Sequence, residues 1–176
     1  MNKSFALIFF IYLFCECSSN HHNLNEEMFR NYPNLYLKSI TFYQDGYLLD
    51  TIFTNINLKT NRTPKIVTIL DGACDMCLEE IKHLDSIFAK DFSKLEIANI
   101  VIIVGGNINN ANDSYMDKNY VTTIIVDNFG QFIETNNLSR FGKITFVLND
   151  KNEIIIIGNP FKDSTIKKQL IKAITA

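Results

Sequence analysis

The chain has 176 residues, 47% of them hydrophobic and 20% charged, with a net charge of -2. This length and apolar content suit one globular domain with a real core. Acidic and basic residues are interspersed, so the charge pattern indicates neither a nucleic-acid-binding protein nor one that depends on a charged partner. The sequence contains no internal repeat and no sign of a second domain.

The N-terminus has the pattern of an export signal. Lys3 is its positive residue, and the apolar run at residues 5–14 is too short to span a bilayer but fits the core of a signal peptide. Cys17 precedes Ser18 and Ser19, as at the start of a bacterial lipoprotein, and we predict it as the lipidation site. Residues 14–16 are not the small residues that the processing peptidase prefers, so a simple cleaved signal remains the alternative. Either signal exports the chain to a compartment where disulfides persist.

The segments that follow divide the chain into three parts. We predict a signal over 1–17, a polar tether over 18–34 and one folded domain over 35–176. The tether contains His21 and His22, but two histidines without further ligands make a poor metal site.

The domain is predicted to begin with a β-hairpin. Residues 35–43 and 47–53 are rich in β-branched and aromatic side chains, and the turn signal at 44–46 separates them.

The most informative feature is a C-x-x-C pair, Cys74 and Cys77. It follows an apolar run at 65–71, which predicts a buried strand, and it opens a predicted helix that ends near Asp91. Apolar residues recur on that helix at the helical period, at Cys77, Ile81, Leu84, Phe88 and Phe92. A dithiol at a helix N-terminus is typical of redox proteins, because unpaired N–H groups and the helix dipole stabilise a thiolate.

Further alternating segments complete the domain. They are buried strands at 95–104 and 121–127, a polar helix or loop at 107–119, a connection at 128–141, a hairpin of 144–148 with 154–157, and a final helix at 164–176. The final helix has Ser164 as its candidate N-cap and a predicted buried face at Ile166, Leu170, Ile171 and Ile174. Strands alternating with helices predict an α/β fold in which a mixed sheet is covered on both faces.

This order resembles the thioredoxin-like fold over residues 35–176. More narrowly, it is similar to the exported thioredoxin-like thiol–disulfide oxidoreductase lipoproteins of Bacteroidetes-type bacteria. The similarity is carried by residues 69–74, by Cys77, by the hairpin start at 145–150 and by Gly-Asn-Pro at 158–160. It implies a three-layer sandwich with a mixed central sheet flanked by helices, here with an N-terminal β-hairpin extension.

The resemblance also implies a membrane-tethered redox role in the cell envelope, without a cofactor and without nucleic acid. Cys74 is the predicted nucleophile and Cys77 the resolving thiol. The expected partners are disulfide-containing envelope proteins or a membrane thiol reductase. Seven residues are predicted to line the substrate groove: Gly72, Ala73, Asp75, Met76, Gly142, Lys143 and Ile144.

Three positions depart from thioredoxin proper. Lys143 stands where a cis-proline normally precedes the hairpin strand, and Ala73 replaces the tryptophan before the first cysteine. Thr68 replaces the buried acid six residues before that cysteine, which normally helps proton transfer to the resolving thiol.

The charges near the dithiol oppose one another. Asp75, Glu79 and Glu80 are expected to raise the pKa of the thiol, whereas Lys143 would lower it if it faces the sulfurs. We therefore expect a reductant or a mild exchanger.

Other interpretations of the dithiol remain. A structural disulfide would close a very short loop and add little stability, and half of a zinc site would lack its other ligands. A non-catalytic binding or scaffold module is the main alternative function. A peroxidase is less favoured, because no hydroxyl residue stands three positions before Cys74. His83 is expected on the solvated face of the helix, and Asp71 and Asp127 are expected to form turns or caps.

Overall fold

A computed structural model of the chain describes Leu35 and residues 38–42, 50–53, 62–72, 75–105, 120–138 and 143–175. The predicted signal, the tether and the predicted helix or loop at 107–119 lie outside this part of the chain.

The described residues form six strands and three helices. The strands are β1 (Asp50–Phe53), β2 (Lys65–Asp71), β3 (Ala98–Val104), β4 (Thr123–Asp127), β5 (Ile144–Leu148) and β6 (Ile154–Ile157). The helices are α1 (Asp75–Asp91), α2 (Gln131–Thr135) and α3 (Ser164–Thr175). Each lies where the sequence predicted a strand or helix, except α2, which forms within the predicted connection at 128–141.

The strands form one mixed sheet in the order β1-β4-β3-β2-β5-β6. The neighbouring strands β4, β3 and β2 are parallel, and β1, β5 and β6 pair antiparallel. Residues 65–70 of β2 and 98–103 of β3 are buried throughout, as expected for strands covered on both faces.

Helices cover both faces of the sheet, which confirms the predicted three-layer α/β sandwich. On one face, α1 and α3 pack on the strands through Ile81, Leu84, Phe88, Ile166 and Leu170. On the other face, α2 and residues 35–42 pack through Leu35, Ile40, Phe42 and Phe132. The Phe42 and Phe132 rings lie 5.7 Å apart between centroids.

Residues 38–42, called here the N-terminal strap, cross this second face. Ser39 forms an antiparallel bridge with Glu153 beside β6, while β1 pairs with β4 near the opposite edge. The described parts of the predicted N-terminal hairpin therefore pair with different edges of the sheet. Its predicted turn lies outside the described residues.

The side chain of Asn136 attaches the strap to the end of α2. Its Oδ1 accepts a hydrogen bond from the Thr41 amide at 2.8 Å, and its Nδ2 donates to the carbonyl oxygens of Thr41 and Phe132, each at 2.9 Å. Asn136 is buried. The Asn136 side-chain amide thus bonds both the N–H and the C=O of Thr41, as a neighbouring strand would. It satisfies these backbone groups where no described strand pairs with them.

The N-cap of α3 is one residue earlier than predicted. Asp163 Oδ1 accepts hydrogen bonds from the amides of Thr165 at 2.7 Å and Ile166 at 3.2 Å, so Asp163 caps the helix and the assignment to Ser164 was wrong. The predicted inner face was also too wide, because Ile171 is 37% exposed.

A lysine lies buried at the start of the central strand. Lys65 has no solvent-exposed area, and its Nζ donates to the Thr63 carbonyl at 2.8 Å. Burial lowers the pKa of the Lys65 amine, and the Asp150 carboxylate offsets this only in part.

We predict that Asn136→Ala lowers the free energy of unfolding by about 2–3 kcal/mol, because three hydrogen bonds are lost from a buried site. Asn136→Asp should also destabilise, since it keeps the acceptor for Thr41 but loses both donated bonds. Urea unfolding of the full chain measures both effects. The exposed neighbour Thr135→Ala is the control, and equal stabilities for Asn136→Ala and that control would contradict the role given to the strap.

The Lys65 pKa predicts a pH dependence of stability. With a folded pKa below the unfolded one, the unfolded lysine binds more protons at alkaline pH, so this group's contribution to stability rises as pH rises toward the unfolded pKa. Lys65→Met lacks this contribution, so only the wild type gains stability from it as the pH rises. The free energy of unfolding of the Met variant, minus that of the wild type, should therefore decrease between pH 7 and pH 10. The exposed Lys168→Met should show no such trend, and a constant difference for Lys65→Met would refute the assignment.

Candidate functional site

The dithiol segment joins the central strand to the longest helix of the described fold. β2 ends at Asp71 and α1 begins at Asp75, so the sequence places Cys74 immediately before the helix and Cys77 at its third residue. Residues 73 and 74 lie outside the described part of the chain. The first amides of a helix have no partner within it, so unpaired donors and the positive end of the helix dipole lie at the start of α1, where the sequence places the dithiol.

The turn after β2 packs against the end of β3 without a side chain between them. The Gly72 amide donates to the Val104 carbonyl at 2.9 Å, and a Cβ at position 72 would lie 2.0 Å from the Gly105 carbonyl oxygen. Only glycine fits at this distance. Gly72, predicted as a groove residue, therefore sets how closely the dithiol turn approaches β3.

Asp127 at the end of β4 fixes the next turn along this edge of the sheet. Its carboxylate accepts hydrogen bonds from the amides of Gln131 and Phe132, both at 2.8 Å, and its carbonyl accepts one from Gly105 at 3.0 Å. The capping role expected for Asp127 is thus confirmed. The turns that follow β2, β3 and β4 are connected through Gly105.

Lys143 lies against α1 through an ion pair. Its Nζ contacts Glu80 Oε2, and Lys162 Nζ lies 3.2 Å from Glu80 Oε1. The second contact is an ion pair without hydrogen-bond geometry, since Glu80 Oε1 is buried with no hydrogen-bond partner. The Glu80 side chain is 14% exposed. Two lysines thus face one carboxylate, so the negative charge expected from Glu80 near the dithiol is balanced.

This ion pair places the segment before β5 beside the first turns of α1. Glu80 follows Cys77 by three residues, so positions 77 and 80 share one side of the helix. Ile144, which follows Lys143, pairs with Ile69 of β2 and is buried. Lys143 and Ile144 therefore lie at the end of β5 that adjoins the end of β2.

Beneath this end of the sheet, Thr68 and Thr145 form a buried pair of hydroxyl groups, with Oγ1 atoms 3.1 Å apart. Thr68 occupies the position of the acid that thioredoxin proper carries. The two neutral hydroxyl groups satisfy each other's hydrogen bonding. Neither of them places a carboxylate in the sheet beneath α1.

The structure describes some of the predicted site residues and not others. Asp75 and Met76 belong to α1, whereas Ala73, Gly142 and Cys17 lie outside the described residues. His83 is exposed, as expected. Among the residues that the structure describes, no cluster of His, Cys, Asp or Glu could hold a metal ion. Within the same residues, no helix has the length and apolar character needed to cross a membrane.

Sequence reasoning missed the link between Glu80 and Lys162 and the close packing of Gly72. The three-residue spacing of Glu80 from Cys77 indicated only that the two positions share a helix face. No local pattern identified Lys162, which reaches the site only through the hairpin that precedes α3.

No protein-family model and no curated protein sequence matches the chain. Several solved structures are similar to it in fold. A candidate thiol-disulfide oxidoreductase from Bacteroides vulgatus aligns with a TM-score of 0.53 and 11% identity over 75% of this chain and 90% of that chain. A thioredoxin-related protein from Neisseria meningitidis serogroup B aligns with a TM-score of 0.51 and 16% identity over 72% of this chain and 98% of that chain.

A third structure, of a candidate thiol:disulfide interchange protein DsbE from Chlorobium tepidum, aligns with a TM-score of 0.51 and 12% identity over 66% of this chain and 83% of that chain. At these identities the similarity establishes the fold. The chain has a thioredoxin-like fold, as its sequence predicted.

The close approach at Gly72 predicts the effect of one added methyl group. Gly72→Ala should lower the free energy of unfolding by about 3 kcal/mol, because the collision is with backbone and requires the two turns to separate. Gly130→Ala is the matched control. Gly130 has a φ of +70° but open space around it, so alanine there meets only conformational strain of about 1 kcal/mol. Equal losses in urea unfolding would show that the contact with Gly105 is unimportant.

Proposed function

We propose that this chain is a cell-envelope thiol–disulfide oxidoreductase that uses Cys74 and Cys77 to reduce or exchange disulfides in partner proteins. The supporting observation is the position of the C-x-x-C pair, at the junction between the central strand and α1 of a thioredoxin-like fold. A short structural disulfide has no need of that position. A nucleophilic thiolate benefits from it, because the helix N-terminus stabilises the charge.

The proposed reaction begins when the Cys74 thiolate attacks one sulfur of a partner disulfide. A mixed disulfide forms and the other partner sulfur leaves as a thiolate. The Cys77 thiol then loses its proton and attacks the Cys74 sulfur, which releases the second partner thiolate. Overall, two electrons and two protons pass from the dithiol to the partner, and Cys74 and Cys77 become a disulfide.

The surrounding charges favour a mild rather than a strongly oxidising pair. Glu79 is largely exposed and bonded to Lys82, and the Glu80 charge is balanced by Lys143 and Lys162. Lys143 is thus engaged by a carboxylate, which weakens any stabilisation that its charge gives to a thiolate. With the helix N-terminus as the main stabilising influence, we expect a thiol less acidic than in strongly oxidising proteins of this fold, and hence a reductant or a mild exchanger.

The location and partners in this proposal rest on the sequence. The N-terminal segment has the pattern of an export signal, and lipid attached to Cys17 would hold the domain at a membrane surface. Disulfide-containing envelope proteins, or a membrane thiol reductase that supplies electrons, are the partners that suit such a place.

The proposal is tested by the reduction potential of the dithiol. We expect the full chain, equilibrated in glutathione buffers and alkylated, to show a reversible two-electron transition at Cys74 and Cys77 between about -120 and -270 mV. Mass spectrometry assigns the disulfide to these two residues. In the same buffers, Cys74→Ser should abolish reduction of a partner disulfide, and Cys77→Ser should accumulate the mixed disulfide.

A double variant, Cys15→Ser with Cys17→Ser, controls for the other two cysteines and should keep the transition. A Cys74–Cys77 disulfide that never forms, or never opens across this range, would support the alternative, a binding or scaffold module of the envelope.

A further inference from the structure

One large apolar side chain is exposed at the edge of the sheet that carries the dithiol. Phe129 follows β4 and is 68% exposed, far more than the two other exposed large apolar residues of the described chain, Val121 at 41% and Ile171 at 37%. Exposure of a phenylalanine forgoes the stability that burial of its ring would give. Val121 and Ile171 lie on other parts of the surface, before β4 and on α3.

The turn that holds Phe129 is fixed by hydrogen bonds on both sides. The Asp127 carboxylate accepts the amides of Gln131 and Phe132, and its carbonyl accepts the Gly130 amide at 3.4 Å. Gly130 has a φ of +70°, which closes the turn tightly. The ring is therefore presented to solvent on a defined backbone, so little conformational entropy is lost when a partner covers it.

Strand register gives the separation between the end of β4, which precedes this ring, and the end of β2, which precedes the dithiol. Asp71, Val104 and Asp127 are direct neighbours across β2, β3 and β4, which are parallel and end at the same edge. Neighbouring strands lie about 4.8 Å apart, so β4 is about 10 Å from β2. In the sequence, Cys74 follows Asp71 by three residues and Phe129 follows Asp127 by two.

We infer that Phe129 is a specificity-determining residue that binds an apolar side chain of the disulfide-bearing partner segment, about three residues from the partner cysteine that Cys74 attacks. An extended segment advances about 3.3 Å per residue, so three residues span the 10 Å between the two strand ends. This inference rests on the proposed function and adds to it the kind of substrate segment preferred.

The experiment uses the reduced full chain and two sets of synthetic peptides. Each peptide has a single cysteine joined by a disulfide to thionitrobenzoate, and carries leucine or serine one, three or five residues to either side. Cys74 attacks the peptide sulfur, the thionitrobenzoate anion leaves and absorbs light, and Cys77 then releases the peptide thiol. The leucine-to-serine ratio of rate constants is taken within each protein, so a general change in thiol reactivity cancels.

We expect leucine three residues from the cysteine, on one side, to react about tenfold faster than serine, which corresponds to 1.4 kcal/mol. The preference should be smaller at one and five residues. Phe129→Ser should reduce the ratio to about one, and Phe129→Leu should retain most of it. Ile171→Ser, an exposed apolar residue on α3, is the matched control and should leave the ratio unchanged.

Two results would overturn the inference, and they distinguish failure of the docking role from failure of the proposed redox function. If the wild type reacts with the small disulfide 5,5′-dithiobis(2-nitrobenzoate) but shows no leucine preference, or keeps it in Phe129→Ser, the docking role is wrong and the redox function stands. If the wild type fails to react even with that small disulfide while denatured chain reacts, the proposed function fails and the inference fails with it.

Discussion

Burial of β2 and β3 on both faces is the constraint on which the rest of this structure depends. Two adjacent strands without an exposed face require a layer of packing above and another below. The chain provides the first with α1 and α3. For the second, α2 is only five residues long, and the N-terminal strap completes the cover through Ile40 and Phe42. This explains why a polar residue as deeply buried as Asn136 is tolerated. It pairs with the backbone of the strap where no strand is available.

The same constraint creates the candidate site. Parallel strands buried on both sides end at a common edge, and the loops beyond that edge are where such sheets place reactive groups. Here the loops are connected to one another rather than independent. Gly72 contacts Gly105, and Gly105 bonds to Asp127. The turn after β2 and the turn that holds Phe129 are therefore linked through backbone contacts. On the other side, the Glu80 ion pairs connect α1 to the segments before β5 and α3.

Much of this could be predicted from the sequence, for identifiable reasons. The continuous apolar runs of β2 and β3, the helical period of α1 and the hairpin of β5 and β6 are local signals, and their interpretation was correct. α2 was missed because five residues hold too little periodicity to distinguish a helix from a loop. The cap of α3 was misplaced by one residue because Asp163 and Ser164 are both good capping residues, and only the geometry distinguishes them. The pairing of the strap with Glu153 depends on residues more than a hundred positions apart, which no local pattern encodes.

The site shows the same division between local and long-range information. The sequence predicted the two cysteines and Lys143 as site residues, but it could not say that Lys143 contacts a carboxylate, because that contact joins two elements across the fold. This partner alters the chemistry expected of the dithiol. Lys143 bound to Glu80 contributes far less to a thiolate than a lone cation would, and Thr68 with Thr145 adds no charge from below. In the function proposed above, the N-terminus of α1 would then be the main electrostatic influence on the attacking thiolate. The specificity of this chain would accordingly come from the surface around the dithiol rather than from an unusual thiol.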